Sequence, residues 1–268
     1  KTLKMYVSAP RKGRQYIIMA ALELGLMPTT EGSLNIRQNL DETLDGYPGL
    51  EHSLPIFPIY DDVVDLFVAQ ERTYTPTLLV SYGGPWAENW FYENENPHDD
   101  ERLRRFIPHE VIDVATLRRA QWFREDQYHF EEHAEFVRDL VEAGGRAGVG
   151  SHGQLQGLGF HWELWAMASA GMDPMDALSM ATRLGAEAIG LDQDVGTVEA
   201  GKLADLVLLD ADPRLDLRNT VRVGGVMMNG RLFDAATMTE TWPRQREIQP
   251  LWWWDEEPVG VPGVGAGR

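Results

Sequence analysis

Five short apolar stretches, separated by segments of helical periodicity, constrain this chain more than any other feature of it. "LKMYV" sets Leu3, Met5 and Val7 against Lys4 and Tyr6, the period-2 pattern of a strand. "GRQYIIMAALELG" follows with Ile17, Ala20, Ala21 and Leu24 at helical spacing, and Gly25 is placed to cap the helix end. "LMPTTEG" reads as a second strand ending at Glu31, and "GLEHSLP" as a third ending at His52. "TYTPTLLVS" reads as a fourth, and "RAGVGSH" as a fifth that runs into His152 between Gly150, Ser151 and Gly153. Strands separated by helices imply an α/β fold with a mostly parallel sheet and right-handed crossovers.

The excursion from Tyr82 to about Tyr128 is rich in Trp, Tyr, Phe and acidic residues and too long for an ordinary connection. Lids and binding loops are built this way, and so are helical decorations. Further on, "DPMDALSMATRLGAEAIGL" predicts one helix with Asp173 as N-cap, Pro174 at the first helical position and Gly190 at its end. The pattern then turns to β. "ADLVLLD" is a continuous apolar strand, and "GGVMMNGRLFD" places Asn229-Gly230 at a hairpin turn. In the tail "PLWWWDEEPVGVPGVGAGR" the three tryptophans read as packing anchors, and the last ten or so residues as disordered.

Composition removes some classes of function. A net charge of −18 argues against nucleic acid as a partner. No apolar run approaches the roughly 18 residues that span a bilayer, so no membrane partner is expected. Without cysteine there are neither disulfides nor thiolate metal sites. Any metal must be held by nitrogen and oxygen. No targeting segment is visible in "KTLKMYVSAP", and the compartment stays open.

Lys4, Glu31, His52 and His152 fall at strand ends, where a parallel barrel carries its chemistry. Together they form a nitrogen/oxygen set suited to zinc or a similar metal. A lysine ammonium joins such a set only when deprotonated or converted to a carbamate. Each residue also has a plainer reading: a hydrogen-bonded core histidine, a snorkelling lysine, a helix-capping carboxylate. Tyr82, Gln154 and His161 lie just past strand ends as candidate substrate contacts, although His161 also reads as the start of the amphipathic helix "HWELWAMASAG".

"GTVEAGKLADLVLLDADP", followed by "VGGVMMNGRLFD", resembles the end of amidohydrolase-superfamily enzymes, in particular the imidazolonepropionase-like group associated with TolB-type propellers. "AGMDPMDALSMATRLGAEAIGL" resembles the family's last barrel helix, "GLEHSLP" its strand-six histidine motif and "TYTPTLLVS" its seventh strand. The resemblance implies the C-terminal part of a (β/α)8 metal-dependent hydrolase barrel over residues 1–194, with an insertion at about 82–130. Part of a small β-sandwich over 195–250 and a tail over 251–268 would follow. It implies one or two divalent ions, most naturally zinc, with Lys4 in the position of a carbamylated bridging lysine and His52 in that of the strand-six ligand.

Two positions depart from the family pattern. Glu31 stands where strand five usually ends in histidine, and His152 where strand eight usually carries the aspartate that serves as metal ligand and general base. The base is then Glu31, His152 if unligated, or another group. The family's H-x-H pair and strands one to three have no counterpart in the sequence. The other half of the barrel is therefore expected upstream or on another chain, and a homo-oligomer is compatible with that. The activity implied is hydrolysis of a C–N bond in an amide, cyclic amide or peptide-like substrate by metal-activated water. The rival reading is a non-catalytic scaffold or assembly subunit that has lost the metal chemistry.

Overall fold

The computed structural model describes residues 2–6, 10–80, 84–117, 122–153 and 155–254. The first half alternates β1 (Thr2–Met5), α1 (Arg11–Glu23), β2 (Met27–Glu31), α2 (Ile36–Leu44), β3 (Gly49–Glu51), α3 (Asp61–Ala69) and β4 (Thr73–Thr75). A 3-10 turn at Leu78–Val80 leads to α4 (Ala87–Asn94), α5 (Glu101–Phe106) and α6 (His109–Ala115). The chain returns through α7 (Phe130–Glu142) to β5 (Arg146–Ala147), then α8 (Leu158–Ala168), α9 (Pro174–Met180) and α10 (Arg183–Ala188). β6 (Leu206–Leu209), β7 (Val223–Met228), β8 (Arg231–Asp234) and β9 (Glu240–Trp242) complete the described elements.

β1 to β5 form one sheet in chain order, every neighbouring pair parallel. This is the α/β sheet expected from the alternation of strands and helices. Its register sets Glu31 opposite Glu51, and Glu51 opposite Thr75, so three strands run out at one level. β6 to β9 form a second, antiparallel sheet, also in chain order. Asn229 and Gly230, at φ 49° and 72°, make the turn between β7 and β8, with Met228 paired to Arg231. Both residues are left-handed, as a two-residue hairpin with this twist requires.

Three elements differ from the sequence reading. The fourth strand stops at Thr75, because Thr77 adopts φ 51° and Leu78–Val80 coil into a 3-10 turn. The fifth covers only Arg146–Ala147, so His152 lies five residues beyond its end. The long helix after Asp173 is two helices. Asp173 caps the first through Met175 N at 2.8 Å with Pro174 at the first turn, but Thr182 leaves helical geometry at φ −133°, ψ −94° and α10 restarts after it. The continuous apolar strand β6 is half open to solvent, with Val207 60% exposed, since one face of the antiparallel sheet is uncovered there.

The insertion proves to be helical and part of the core. Phe91 of α4 stacks on the fully buried Trp162 of α8 at 5.1 Å between centroids and an interplanar angle of 7°, and Leu103 and Ile112 join the same cluster. Of the three tryptophans expected as packing anchors, Trp252 is 63% exposed and the other two dock on α5. The indole N–H groups of Trp253 and Trp254 donate to the Arg105 carbonyl at 3.1 and 2.6 Å, and the Arg105 guanidinium lies over the Trp254 ring at 4.2 Å. The segment expected to be disordered at the C-terminus lies outside the described residues.

One buried carboxylate fixes the turn after β4. Glu163 of α8 is wholly buried, and its two oxygens accept from the backbone N–H groups of Leu78 and Leu79 at 2.8 and 2.9 Å. Burial pushes this carboxyl up to about 8, against the opposing pull of those two donors. The native state therefore holds the proton more tightly than the unfolded chain. The associated stability is complete below the ordinary carboxyl range and is lost as pH rises through about 8. Glu163→Gln should remove that loss, since an amide does not titrate, while setting its NH2 against one backbone donor at a cost of about 1–3 kcal/mol. Denaturant unfolding of both proteins at pH 5 and pH 8.5 measures both effects, and an unchanged pH slope in the variant would refute the assignment.

Candidate functional site

The site grows out of the level at which β2, β3 and β4 end. Glu31 is the last residue of β2, and His52 follows the last residue of β3. His52 is buried and takes φ 72°, a left-handed conformation that turns its ring back across the strand ends. Its backbone N–H still donates to the Thr75 carbonyl at 2.9 Å, so the turn is held by the neighbouring strand. The imidazole then bridges two partners: Nδ1 lies 2.6 Å from Thr77 Oγ1, and Nε2 lies 3.0 Å from Glu31 Oε1. Burial lowers the His52 pKa below its ordinary value. The Glu31 carboxylate opposes that shift, and His152 and Lys4 add to it. The neutral ring is thus favoured, with a lone pair on one nitrogen.

His152 reaches the same place from the loop after β5. Its ring centroid is 5.4 Å from that of His52, its side is exposed to solvent, and its φ is 48°. The glycines around it clear space. A Cβ on Gly150 would come within 2.5 Å of Thr75 Cγ2, and one on Gly153 within 2.9 Å of Leu79 Cδ1 and 3.0 Å of Glu88 Oε1. Thr77, His52 and His152 are all non-glycine residues in left-handed backbone within one small region. Such strain persists only where the surroundings impose it, and it concentrates at functional sites.

Lys4 lies on β1 one layer below, in register with Thr29. It forms an ion pair with Glu51, whose Oε1 also accepts from Thr29 Oγ1 at 3.0 Å. Partial burial depresses the lysine, but the bond to Glu51 and the charges of Glu51 and Glu31 outweigh it and leave the ammonium above its usual value. Lys4 is therefore a cation held by a carboxylate in this arrangement.

Of the four residues expected to converge, Glu31 and His52 are in direct contact, His152 is beside His52, and Lys4 joins through Glu51. They do not close into a three-donor nest. Among the described residues, the group of three His or acidic side chains whose ligand atoms all lie within 4.8 Å of one another is found elsewhere, in the insertion. Two donors still suit an ion at the strand ends. Glu31 Oε2 is buried without a hydrogen bond, and the neighbouring His52 ring is held neutral.

The expected substrate contacts fare differently. Tyr82 and Gln154 lie outside the described residues. His161 sits at another seam, with Nδ1 3.1 Å from Thr220 Oγ1 in the 3-10 turn Leu217–Val221 and its ring beside Trp165. Burial lowers its pKa to about 4, so it packs there as a neutral ring. It lies in α8, as its alternative reading as a helix residue had it, but that helix is apolar on nearly every side and not amphipathic. Sequence reasoning missed Glu51, Thr77 and Glu88. Glu51 was signalled by its position before His52, opposite Glu31 across a parallel ladder, whereas the left-handed turn that brings Thr77 to the imidazole has no local signature.

The fold and strand-end residues define an α/β chain of the parallel-barrel kind with a nitrogen/oxygen cluster where its strands end. The amidohydrolase family model matches residues 104–233, just under half of the chain, and the solved structures of similar fold share its architecture. The chain is 40% identical over 77 residues to a 5-methylthioadenosine/S-adenosylhomocysteine deaminase of Moorella thermoacetica, covering 24% of this chain and 18% of that one. It is 51% identical over 37 residues to a 5'-deoxyadenosine deaminase of Methanobrevibacter smithii, 14% of this chain and 8% of that one. Among solved structures, an Xaa-Pro dipeptidase with bound methionine superposes with TM-score 0.60 at 20% identity, over 86% of this chain and 54% of that one. Phenylurea hydrolase B gives TM-score 0.58 at 21% identity, over 88% and 54%. The chain thus spans about half the length of these structures and less than a fifth of these curated relatives.

The His52–Thr77 bond can be tested without disturbing the β-branched shape at a strained position. Thr77→Val should cost about 1–3 kcal/mol by removing the hydroxyl that bonds a buried imidazole nitrogen. A variant as stable as the parent in denaturant unfolding would show that the bond contributes nothing to holding the ring.

Proposed function

We propose that the protein carrying this chain is a metal-dependent hydrolase that cleaves a C–N bond in an amide, cyclic amide or peptide-like substrate. The observation that carries the reading is the Glu31–His52 contact at the ends of adjacent parallel strands, with His152 beside it and strained backbone at both histidines. The names of the relatives agree in chemical class, since a deaminase and a dipeptidase both break C–N bonds. Amidohydrolases generally use a divalent metal, and here zinc would be held by Glu31, His52 and His152. When bound, such an ion lowers the pKa of water and polarises a carbonyl.

The chain's own residues would do the rest. Glu31 is the better candidate for general base. Its Oε1 faces His52 Nε2, where an ion would replace the hydrogen bond, while Oε2 is free of hydrogen bonds and can take a proton. Thr77 fixes the tautomer by occupying Nδ1 of His52, which leaves Nε2 for the cluster. A carbamylated Lys4 would have to leave Glu51, because two anions would then face each other where an ion pair now stands. As an ammonium, Lys4 instead balances the charge of Glu51 beside the site.

The Lys4–Glu51 pair and the unclosed donor set favour the second reading, a scaffold without metal chemistry. Metal analysis and turnover of the full-length protein separate the two. Under the enzyme reading, chelation abolishes hydrolysis of a panel of Xaa-Pro dipeptides and deoxyadenosine derivatives, and zinc restores it. Glu31→Ala should then lower turnover by roughly 10²–10⁴-fold, and His52→Ala should lower metal content as well. A protein that holds no metal at the strand ends and turns over nothing in the panel would be a scaffold.

A further inference from the structure

The insertion between β4 and α7 contains a second set of donors with no part in the strand-end cluster. His98 stands on the 3-10 turn Pro97–Asp99, and His109 and Asp113 lie one turn apart on α6. One ligand atom from each lies within 4.8 Å of the other two. His98 Nε2 is 3.4 Å from Asp113 Oδ1, and His109 Nε2 is 3.4 Å from Asp113 Oδ2. Each imidazole thus faces a different oxygen of one carboxylate. The two rings stand 5.4 Å apart between centroids.

These separations are long for charge-assisted hydrogen bonds, which close to about 2.7–2.9 Å. They match the spacing of two ligands on one tetrahedral zinc, roughly 3.3 Å for metal–ligand bonds of about 2.0–2.1 Å. The hydrogen-bond record points the same way. Asp113 is 3% exposed, yet its Oδ1 is buried without a hydrogen bond, and so is His109 Nε2. A buried carboxylate oxygen and a buried imidazole nitrogen in one cluster, both without a hydrogen bond, are what an ion bound among these side chains would satisfy.

Nε2 of His98 also lies 2.9 Å from Thr116 Oγ1, whose hydroxyl donates to the Ile112 carbonyl at 2.7 Å. The Thr116 oxygen therefore accepts from His98, and an ion would replace that bond. Both histidine side chains keep some solvent access, 17% and 26%, which gives an entry path and room for a water ligand.

We propose that His98, His109 and Asp113 form a second divalent-metal site, a His2Asp set of zinc type completed by water, which clips the Pro97–Asp99 turn to α6. Such a clip closes residues 98–113 into one unit. That unit includes Leu103 and Ile112, which reach the core, and Arg105, whose carbonyl receives both tryptophan indoles. The role is structural, independent of the hydrolytic reading, and unaffected by its failure.

The test uses zinc chloride as probe on the metal-stripped full-length protein. Bound zinc is counted after gel filtration, and amide hydrogen exchange is followed over residues 97–116. Zinc should slow exchange in that segment at least tenfold in the parent protein and equally in His52→Ala, which disturbs only the strand ends. His109→Gln should bind one zinc equivalent fewer than the parent and show no zinc-dependent protection of 97–116, with its circular dichroism unchanged. Should His109→Gln misfold, His98→Gln serves the same purpose, because it truncates no core side chain. Full zinc stoichiometry in a folded variant, or exchange over 97–116 that zinc leaves unchanged in the parent, overturns the proposal.

Discussion

The contact on which the site depends is the buried Glu163 carboxylate receiving the backbone N–H groups of Leu78 and Leu79. Those two donors begin the 3-10 turn after β4, so their capture fixes where Thr77 leaves the strand and forces its left-handed turn. Thr77 in turn holds His52 Nδ1, and His52 presents Nε2 to Glu31. A carboxylate on α8 thus sets the orientation of an imidazole at the end of β3. The arrangement has a cost, since Glu163 sits where burial alone would favour its neutral form. It persists because leaving two buried amide donors unpaired would cost more than the elevated pKa does.

Parallel register explains why the polar residues meet at all. Adjacent parallel strands bring Glu31, Glu51 and Thr75 to the same level, and alternate residues on each strand share a face. Lys4 and Thr29, one layer below, then meet Glu51 from the same side. Two carboxylates on neighbouring strands would repel. Here each has an adjacent cation or neutral donor: Lys4 and Thr29 at Glu51, and the His52 ring at Glu31. This charge pattern separates the strand-end cluster from an ordinary polar sheet edge.

The insertion changes meaning once it is seen folded. As sequence, its aromatic and acidic residues fit a lid or a decoration equally. In the structure Phe91 and Trp162 stack in the core and Trp90 donates to Glu125, so the segment helps to build the wall on which α8 rests. Glu88 of α4 comes close to Gly153 beside His152. The insertion is therefore coupled to the site through packing. A clip at His98, His109 and Asp113 would act on that wall.

Alternation of strand and helix patterns, the positions of Glu31 and His52, the Asp173 cap and the Asn229-Gly230 turn were all legible in the sequence. Each depends on residue type and spacing within a few neighbours, which backbone sterics and hydrophobic periodicity fix locally. The resemblance to amidohydrolases in "GKLADLVLLD" was legible for the same reason, as a linear pattern. What tertiary structure alone decided was which partners these residues find. Lys4 takes Glu51, His52 takes Thr77, and His161 turns to Thr220, because strand register, left-handed turns and helix packing place atoms that are 25 to 59 residues apart in the chain or on separate strands. The same holds for His98, His109 and Asp113. Only the i, i+4 pair on α6 shows in the sequence, and the third donor arrives through the packing of a turn against that helix.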